Sequence, residues 1–147
     1  MDTIDGRILE ILQDDARISV SELSAGINLS ISATAERIKK LEKSGIIMQY
    51  TTILNPEVLD KQLLAQILIS LSHPRVSKNF LDFVNNEKDI LDCYYIAGDF
   101  DYILKVAVKN TGELERLIRR IKSVEGVRKT NTIVVLAKEK EKHSVSV

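Results

Sequence analysis

Residues 19–45 read SVSELSAGINLSISATAERIKKLEKSG, and the order of signals within them decides the fold of the first third of the chain. Ser19 and Glu22 have the spacing of a capping box, in which hydroxyl and carboxylate each satisfy a free backbone N–H. A short helix therefore opens there and runs through Ala25. Gly26 breaks the pattern, and Ile27-Asn28-Leu29 reads as a turn. Ser30 is an N-cap for a longer helix to about Ser44, which Gly45 stops as a C′ glycine. Upstream, Ile4, Ile8, Ile11 and Leu12 form one apolar stripe at helical spacing, with Asp2 as N-cap. Downstream, residues 46–54 are rich in β-branched residues and Tyr, predicting an extended run closed by Asn55-Pro56. Residues 1–54 thus form one unit of three helices and a wing, and residues 55–62 read as a linker.

Drawn at 100° per residue, the third helix places Thr34, Ile38 and Leu41 on one side. Ser32, Glu36, Lys39, Lys40 and Lys43 spread over the other, with Arg37 on the flank. Residues 1–28 hold two basic residues and six acidic ones, so the positive charge of this third is concentrated on that helix. Helix, short helix, turn and basic helix is helix-turn-helix order, with double-stranded DNA as the partner. Ser30, Ser32 and Ala33 are small enough for close approach to base edges and phosphate. Arg37, Lys39 and Lys40 are long enough to reach the phosphate backbone. Glu36 repels phosphate, yet a carboxylate can accept from a cytosine amino group. The same mixture of charges at i, i+3 and i, i+4 also suits a solvated surface helix.

From residue 63 the periodicity changes from helical to alternating. Leu63, Ala65, Ile67, Ile69 and Leu71 predict a strand. Pro74 opens a helix carrying Val76, Phe80, Phe83 and Val84. Residues 90–97 and 100–108 are two strands joined at Gly98-Asp99, where Gly at the first central position suits a type II′ hairpin. A helix follows Asn110, with Leu114, Leu117, Ile118 and Ile121 on one face, and a last strand covers 127–137. The order βαββαβ is ferredoxin-like, so the fold class is α+β. This domain spans 63–138, and 139–147 is a charged tail. Two helices cover one face of such a sheet. Leu64, Leu68, Ile103 and Ala107 fall on the other phase, so a second copy is expected to cover them. Tyr94 and Tyr95 are assigned to core and interface.

Composition sets the outer limits. The 147 residues carry 21 basic and 21 acidic side chains and are 44% apolar, which suits a folded domain or two and excludes a disordered chain. Six Gly and two Pro exclude collagen-like and low-complexity readings, and one cysteine excludes a disulfide framework and a multi-Cys metal site. No apolar run reaches the roughly 18 residues of a membrane span, and the N-terminus lacks the apolar core of a signal peptide. No membrane partner and a cytoplasmic location are the expectation, with no cofactor and no metal.

Two sets of motifs then occur in order. The first is Ile4-Asp5-Gly6-Arg7-Ile8-Leu9, Asp15-Ala16-Arg17-Ile18-Ser19, Glu22-Leu23-Ser24, Leu29-Ser30, Glu36-Arg37-Ile38-Lys39-Lys40-Leu41-Glu42 and Gly45-Ile46-Ile47. The second is Gly98-Asp99-Phe100-Asp101-Tyr102-Ile103-Leu104-Lys105, Gly126-Val127 and Thr130-Asn131-Thr132. Over residues 2–138 the chain resembles the leucine-responsive regulator (Lrp)/AsnC family of bacterial and archaeal transcription factors. Ile31 departs from the Pro often found at that point in the family. The resemblance implies a sequence-specific DNA-binding regulator of amino-acid metabolism or transport. It also implies homodimers formed by packing of the sheets, assembling further to octamers, and an amino-acid effector bound between dimers near the Gly98–Asp101 turn. There Asp99 or Asp101 would pair with the ammonium, N–H groups around Gly98 would hold the carboxylate, and Thr130 and Thr132 would offer hydroxyls. The same residues would also serve as a plain hairpin and strand.

Two other functions fit less of the chain. An architectural DNA-binding protein without a ligand would share the first domain. A sirohaem-decarboxylase-like enzyme would need His and cationic side chains around a large pocket, and only His73 and His143 are present. Neither joins a nucleophile or a metal cluster, so no enzyme is expected.

Overall fold

The computed structural model describes residues 1–147, which divide into two units, Met1–Ile53 with Lys140–Val147, and Leu54–Glu139. In the first unit each helix starts where a side chain can satisfy its free N–H groups. Asp2 and Asp5 form a capping box that opens α1 (Thr3–Asp14). Ser19 and Glu22 form another at α2 (Val20–Gly26), and Ser30 caps α3 (Ile31–Lys43) by accepting from Ala33 N–H. Ile8, Leu9, Leu23 and Leu41 are the buried centre where the three helices meet. Thr34 is fully buried there, its hydroxyl donating to Ser30 O at 3.0 Å, so no polar group is stranded. α3 ends in a Schellman motif: Gly45 has φ +75°, its N–H reaches Glu42 O, and Ile46 N–H reaches Leu41 O.

Two expectations for this unit are corrected. α2 includes Gly26, and the turn is made by Asn28, whose φ of 55° is a left-handed value that Asn tolerates. Residues 46–54 contain no strand. Their β-branched residues favour extended backbone, but a strand also needs a hydrogen-bonded neighbour, and no segment of this chain supplies one.

The second unit is a four-stranded antiparallel sheet in the order β2-β3-β1-β4, from β1 (Leu63–Leu71), β2 (Ile90–Tyr95), β3 (Tyr102–Val108) and β4 (Val127–Val134). α4 (Ser77–Asn86), preceded by a 3₁₀ turn at Pro74–Val76, and α5 (Thr111–Ser123) pack on one face. Ile67, Ile69, Leu104, Val106 and Val108 project from that face onto Phe80, Leu117 and Ile121, all fully buried. Each such side chain contributes about 1.5–3 kcal/mol relative to exposure, so the core is a sufficient reason for this face to be the covered one. The linker region 55–62 belongs to this unit, with Asp60 paired to Lys109 at 3.0 Å and Lys61 to Asp89.

The β2–β3 connection is not a two-residue hairpin. Six residues, 96–101, lie between the strands, closed by Ile96 N–H donating to Asp101 O, and Gly98 has φ +143°. That value lies far from the roughly +60° of a type II′ turn. Residues 139–147, read from the sequence as a separate charged tail, lie almost wholly in the first unit from Lys140 onward.

Candidate nucleic-acid interface and ligand site

The sequence signals on α3 resolve into two classes. Ser30, Ser32, Glu36, Lys39, Lys40 and Lys43 are exposed, and Ala33 is half-buried. None of the three lysines enters an ion pair, so their charge is available to a partner. Arg37 is different. Its Nη1 donates to Asp2 Oδ2 at 2.8 Å and to Asp5 Oδ1 at 2.7 Å, and its side chain is 29% exposed. These contacts raise the Arg37 pKa further. The Asp5 N–H, and then the guanidinium, hold the Asp2 carboxyl below its usual value. Arg37 ties α3 to the first turn of α1, so its charge is spent inside the unit. Exposed Ile31, at the first helical position, and Ala35, both absent from the sequence-derived set, also lie on the open surface. Exposed small and cationic side chains along one helix, beginning at an open N-terminus, form a surface that can meet phosphates and base edges.

In the second unit a cavity of about 220 Å³ lies against the end of β1 and the start of β3. Ser72, His73, Ser77, Tyr95 and Asp101 are its polar lining, and Leu71, Pro74 and Tyr102 complete it. Asp101 is fixed from two directions: its N–H donates to Ile69 O at 2.8 Å, and its Oδ2 accepts from Leu71 N–H at 2.7 Å. His73 Nδ1 accepts from Arg75 N–H, so in the neutral ring the proton sits on Nε2. α4 continues the 3₁₀ turn that His73 caps, and Ser77 N–H at its start donates to Pro74 O.

Of the five effector residues expected, only Asp101 lines this cavity. Gly98 and Asp99 are exposed in the loop. Thr130 and Thr132 share the helix-covered face with Ile69 and Ile67, their partners across β1. Tyr102 pairs with Ile69 from the other side, so Thr130 stands two strand spacings from β3, roughly 10 Å. Within one chain the threonines and the turn are not brought together. Ser72, His73, Ser77 and Tyr95, which also line the cavity, are absent from the sequence-derived set. Pro74 at a helix start was the signal available, since it places a helix N-terminus beside them.

The opposite face of the sheet carries the three interface candidates. Leu68 pairs with Ile103, which pairs with Tyr94, and Leu64 pairs with Ala107. Leu64, Leu68 and Ile103 are half-buried, while Tyr94 and Ile133 are 59% and 48% exposed. Tyr94 thus lies on this face and Tyr95 in the cavity lining, neither in the core. No helix of the chain is long and apolar enough to cross a membrane.

Comparison with known proteins identifies both domains. Residues 1–48 match the winged helix-turn-helix DNA-binding family model, and residues 64–145 match the Lrp/AsnC ligand binding domain. The chain is 38% identical over 141 residues to the HTH-type transcriptional regulator FL11 of Pyrococcus furiosus, covering 96% of this chain and 93% of that protein. It is 38% identical over 144 residues to the leucine-responsive regulatory protein of Escherichia coli K12, covering 96% and 88%. The solved L-Met complex of the transcriptional regulator NMB0573 from Neisseria meningitidis superposes with a TM-score of 0.95 at 29% identity, covering 99% of this chain and 96% of that one. With an exposed cationic helix in a winged helix-turn-helix unit and a ferredoxin-like α+β domain following it in the sequence, this chain belongs to the Lrp/AsnC family of DNA-binding transcriptional regulators.

Proposed function

We propose that the protein is a homo-oligomeric, cytoplasmic regulator of amino-acid metabolism or transport whose hold on double-stranded DNA is set by a free α-amino acid. The observation that carries this reading is the cavity at Asp101, which sets a carboxylate beside hydroxyl donors. The carboxylate suits an ammonium, and the Ser72 and Ser77 hydroxyls can donate to a carboxylate. The apolar part of the lining, Leu71, Pro74 and Tyr102, sorts the amino-acid side chain. A relative of the same fold solved with L-Met supports an amino acid as the ligand class. Gly98, Asp99, Thr130 and Thr132 enter this proposal only as contributions from a second copy, because their own chain does not place them at the cavity. α3 lies in the major groove, with Ser32 and Ala33 near base edges and Lys39, Lys40 and Lys43 on phosphates. Leu64, Leu68 and Ile103 form the centre of a sheet-to-sheet dimer, and dimers assemble further, to octamers.

Calorimetric titration of the twenty amino acids, with DNA affinity measured for any that binds, tests the reading. Heat with one or a few of them and a shifted DNA affinity is the expected result. No heat with any would overturn the effector assignment and leave a DNA-binding protein that works without an amino acid, as an architectural protein does.

A further inference from the structure

The C-terminal segment is seated on the DNA-binding unit. The side-chain amide of Gln13, near the end of α1, brackets a single residue of the tail. Val145 N–H donates to Gln13 Oε1 at 2.7 Å, and Gln13 Nε2 donates to Val145 O at 3.1 Å. Val147 Cγ1 lies 3.8 Å from where a Cβ on Gly6 would stand. Gly6 and Gln13 are seven residues apart and share one face of α1, so the tail runs along that face. Ile47, Met48 and Tyr50 line the same open groove, of about 660 Å³. The Val145 side chain is 75% exposed, so its backbone, not its side chain, is what Gln13 reads.

This seat also bears on residues 46–54, which have no ladder of their own. Beyond the α3 cap at Ile46 and Ile47, Met48, Gln49 and Tyr50 line the same groove as His143, Val145, Ser146 and Val147. The tail is joined to the sheet at short range, since Val135 N–H donates to Leu64 O at 2.9 Å and only residues 136–139 separate it from Lys140.

We propose that residues 143–147 are a peptide ligand of the DNA-binding unit, bound in cis in the groove between α1 and residues 46–50. The seat fixes the run of residues 46–50 against α1. A short tether supplies an effective concentration in the millimolar range. A seat that is filled in cis therefore requires a dissociation constant below about 1 mM for the same peptide in trans.

A fluorescein-labelled peptide of residues 138–147 is titrated by anisotropy into three proteins: the full chain, the chain ended after Lys142, and the full chain carrying Val145→Pro, which keeps the tail but removes the bonded N–H. Saturable binding below about 1 mM to the last two, and none to the full chain, is expected. Gln13→Ala in the shortened chain is expected to weaken it at least tenfold. Absence of saturation in both altered chains, or equal uptake by the unaltered chain, overturns the proposal. The in-cis assignment is read separately from a Gln13→Cys, Val145→Cys chain in a Cys93→Ser background. Oxidation is expected to give an intrachain disulfide that migrates as a monomer on a denaturing gel, and a disulfide-linked dimer overturns it.

Discussion

The guanidinium of Arg37 on α3 lies 2.8 Å from the Asp2 carboxylate and 2.7 Å from that of Asp5, the same two aspartates that form the capping box of α1. One side chain therefore joins α3, the helix proposed to meet DNA, to the first turn of α1. Arg37→Ala is expected to lower the thermal midpoint of the first unit and weaken DNA binding. The slope of log affinity against log salt should stay unchanged, because Arg37 releases no phosphate counterion. Lys40→Ala with Lys43→Ala should leave stability unchanged and flatten that slope by up to about 1.8, near 0.9 for each phosphate no longer neutralised. A flatter slope for Arg37→Ala would show that the arginine leaves the aspartates when DNA arrives.

Asp2 makes the same clamp sensitive to acid. Its carboxyl is held below the ordinary value in the folded chain, by the Asp5 N–H first and by Arg37 second. The unfolded chain then binds the proton more readily, so the stabilisation is complete above the unfolded value and disappears as pH falls through the folded one. Thermal melts down through the carboxylate range should show this loss in the wild type and a shallower one in Asp2→Asn. Equal slopes would contradict it.

Leu68 is paired with Ile103 on the face opposite the helices. Leu68→Lys would place an unpaired charge in a sheet-to-sheet interface, at a cost of several kcal/mol in order of magnitude. Sedimentation should then report monomers with intact secondary structure. A full-size oligomer would move the interface elsewhere.

Asp101 serves the fold as well as the cavity, because its Oδ2 receives Leu71 N–H. Asp101→Ala is expected to cost about 1.5–3 kcal/mol, as a hydrogen bond to a charged group is removed. Asp101→Asn keeps an acceptor for Leu71 but has no charge for an ammonium. It should stay close to wild type in stability while losing the heat of amino-acid binding, which separates the two roles. Full binding by the Asn variant would remove Asp101 from the ligand site.

Gly126 has φ +92°, and a Cβ there would stand 2.3 Å from Val76 Cγ2. Gly126→Ala combines a left-handed backbone with overpacking, each about 1–3 kcal/mol. Chemical denaturation should show a loss of about 2–6 kcal/mol for the second unit, with the first unit unchanged.

The elements were legible in the sequence because their causes are local. Ser19 with Glu22, Ser30, Gly45 and Asn110 act within one turn of the helices they bound, and alternation at Leu63, Ala65, Ile67 and Ile69 marks a strand and its buried face at once. The helix-covered sheet followed from that periodicity, and the basic helix from where its lysines fall at 100° per residue. What each charged or polar side chain does was decided by tertiary structure. Arg37 looks like one more cation on α3 until α1 brings Asp2 and Asp5, more than thirty residues away in sequence, to its Nη1. Asp101 reads as a turn residue until β1 places Leu71 N–H on its carboxylate, and Thr130 is kept from the turn only because β1 lies between β3 and β4. Residues 46–54 have the composition of a strand and remain without one, since pairing requires a partner that no local pattern encodes. The tail finds Gln13 across 132 positions for the same reason: a hydrogen bond is specified by where two groups meet in space, and periodicity reaches only as far as the next turn.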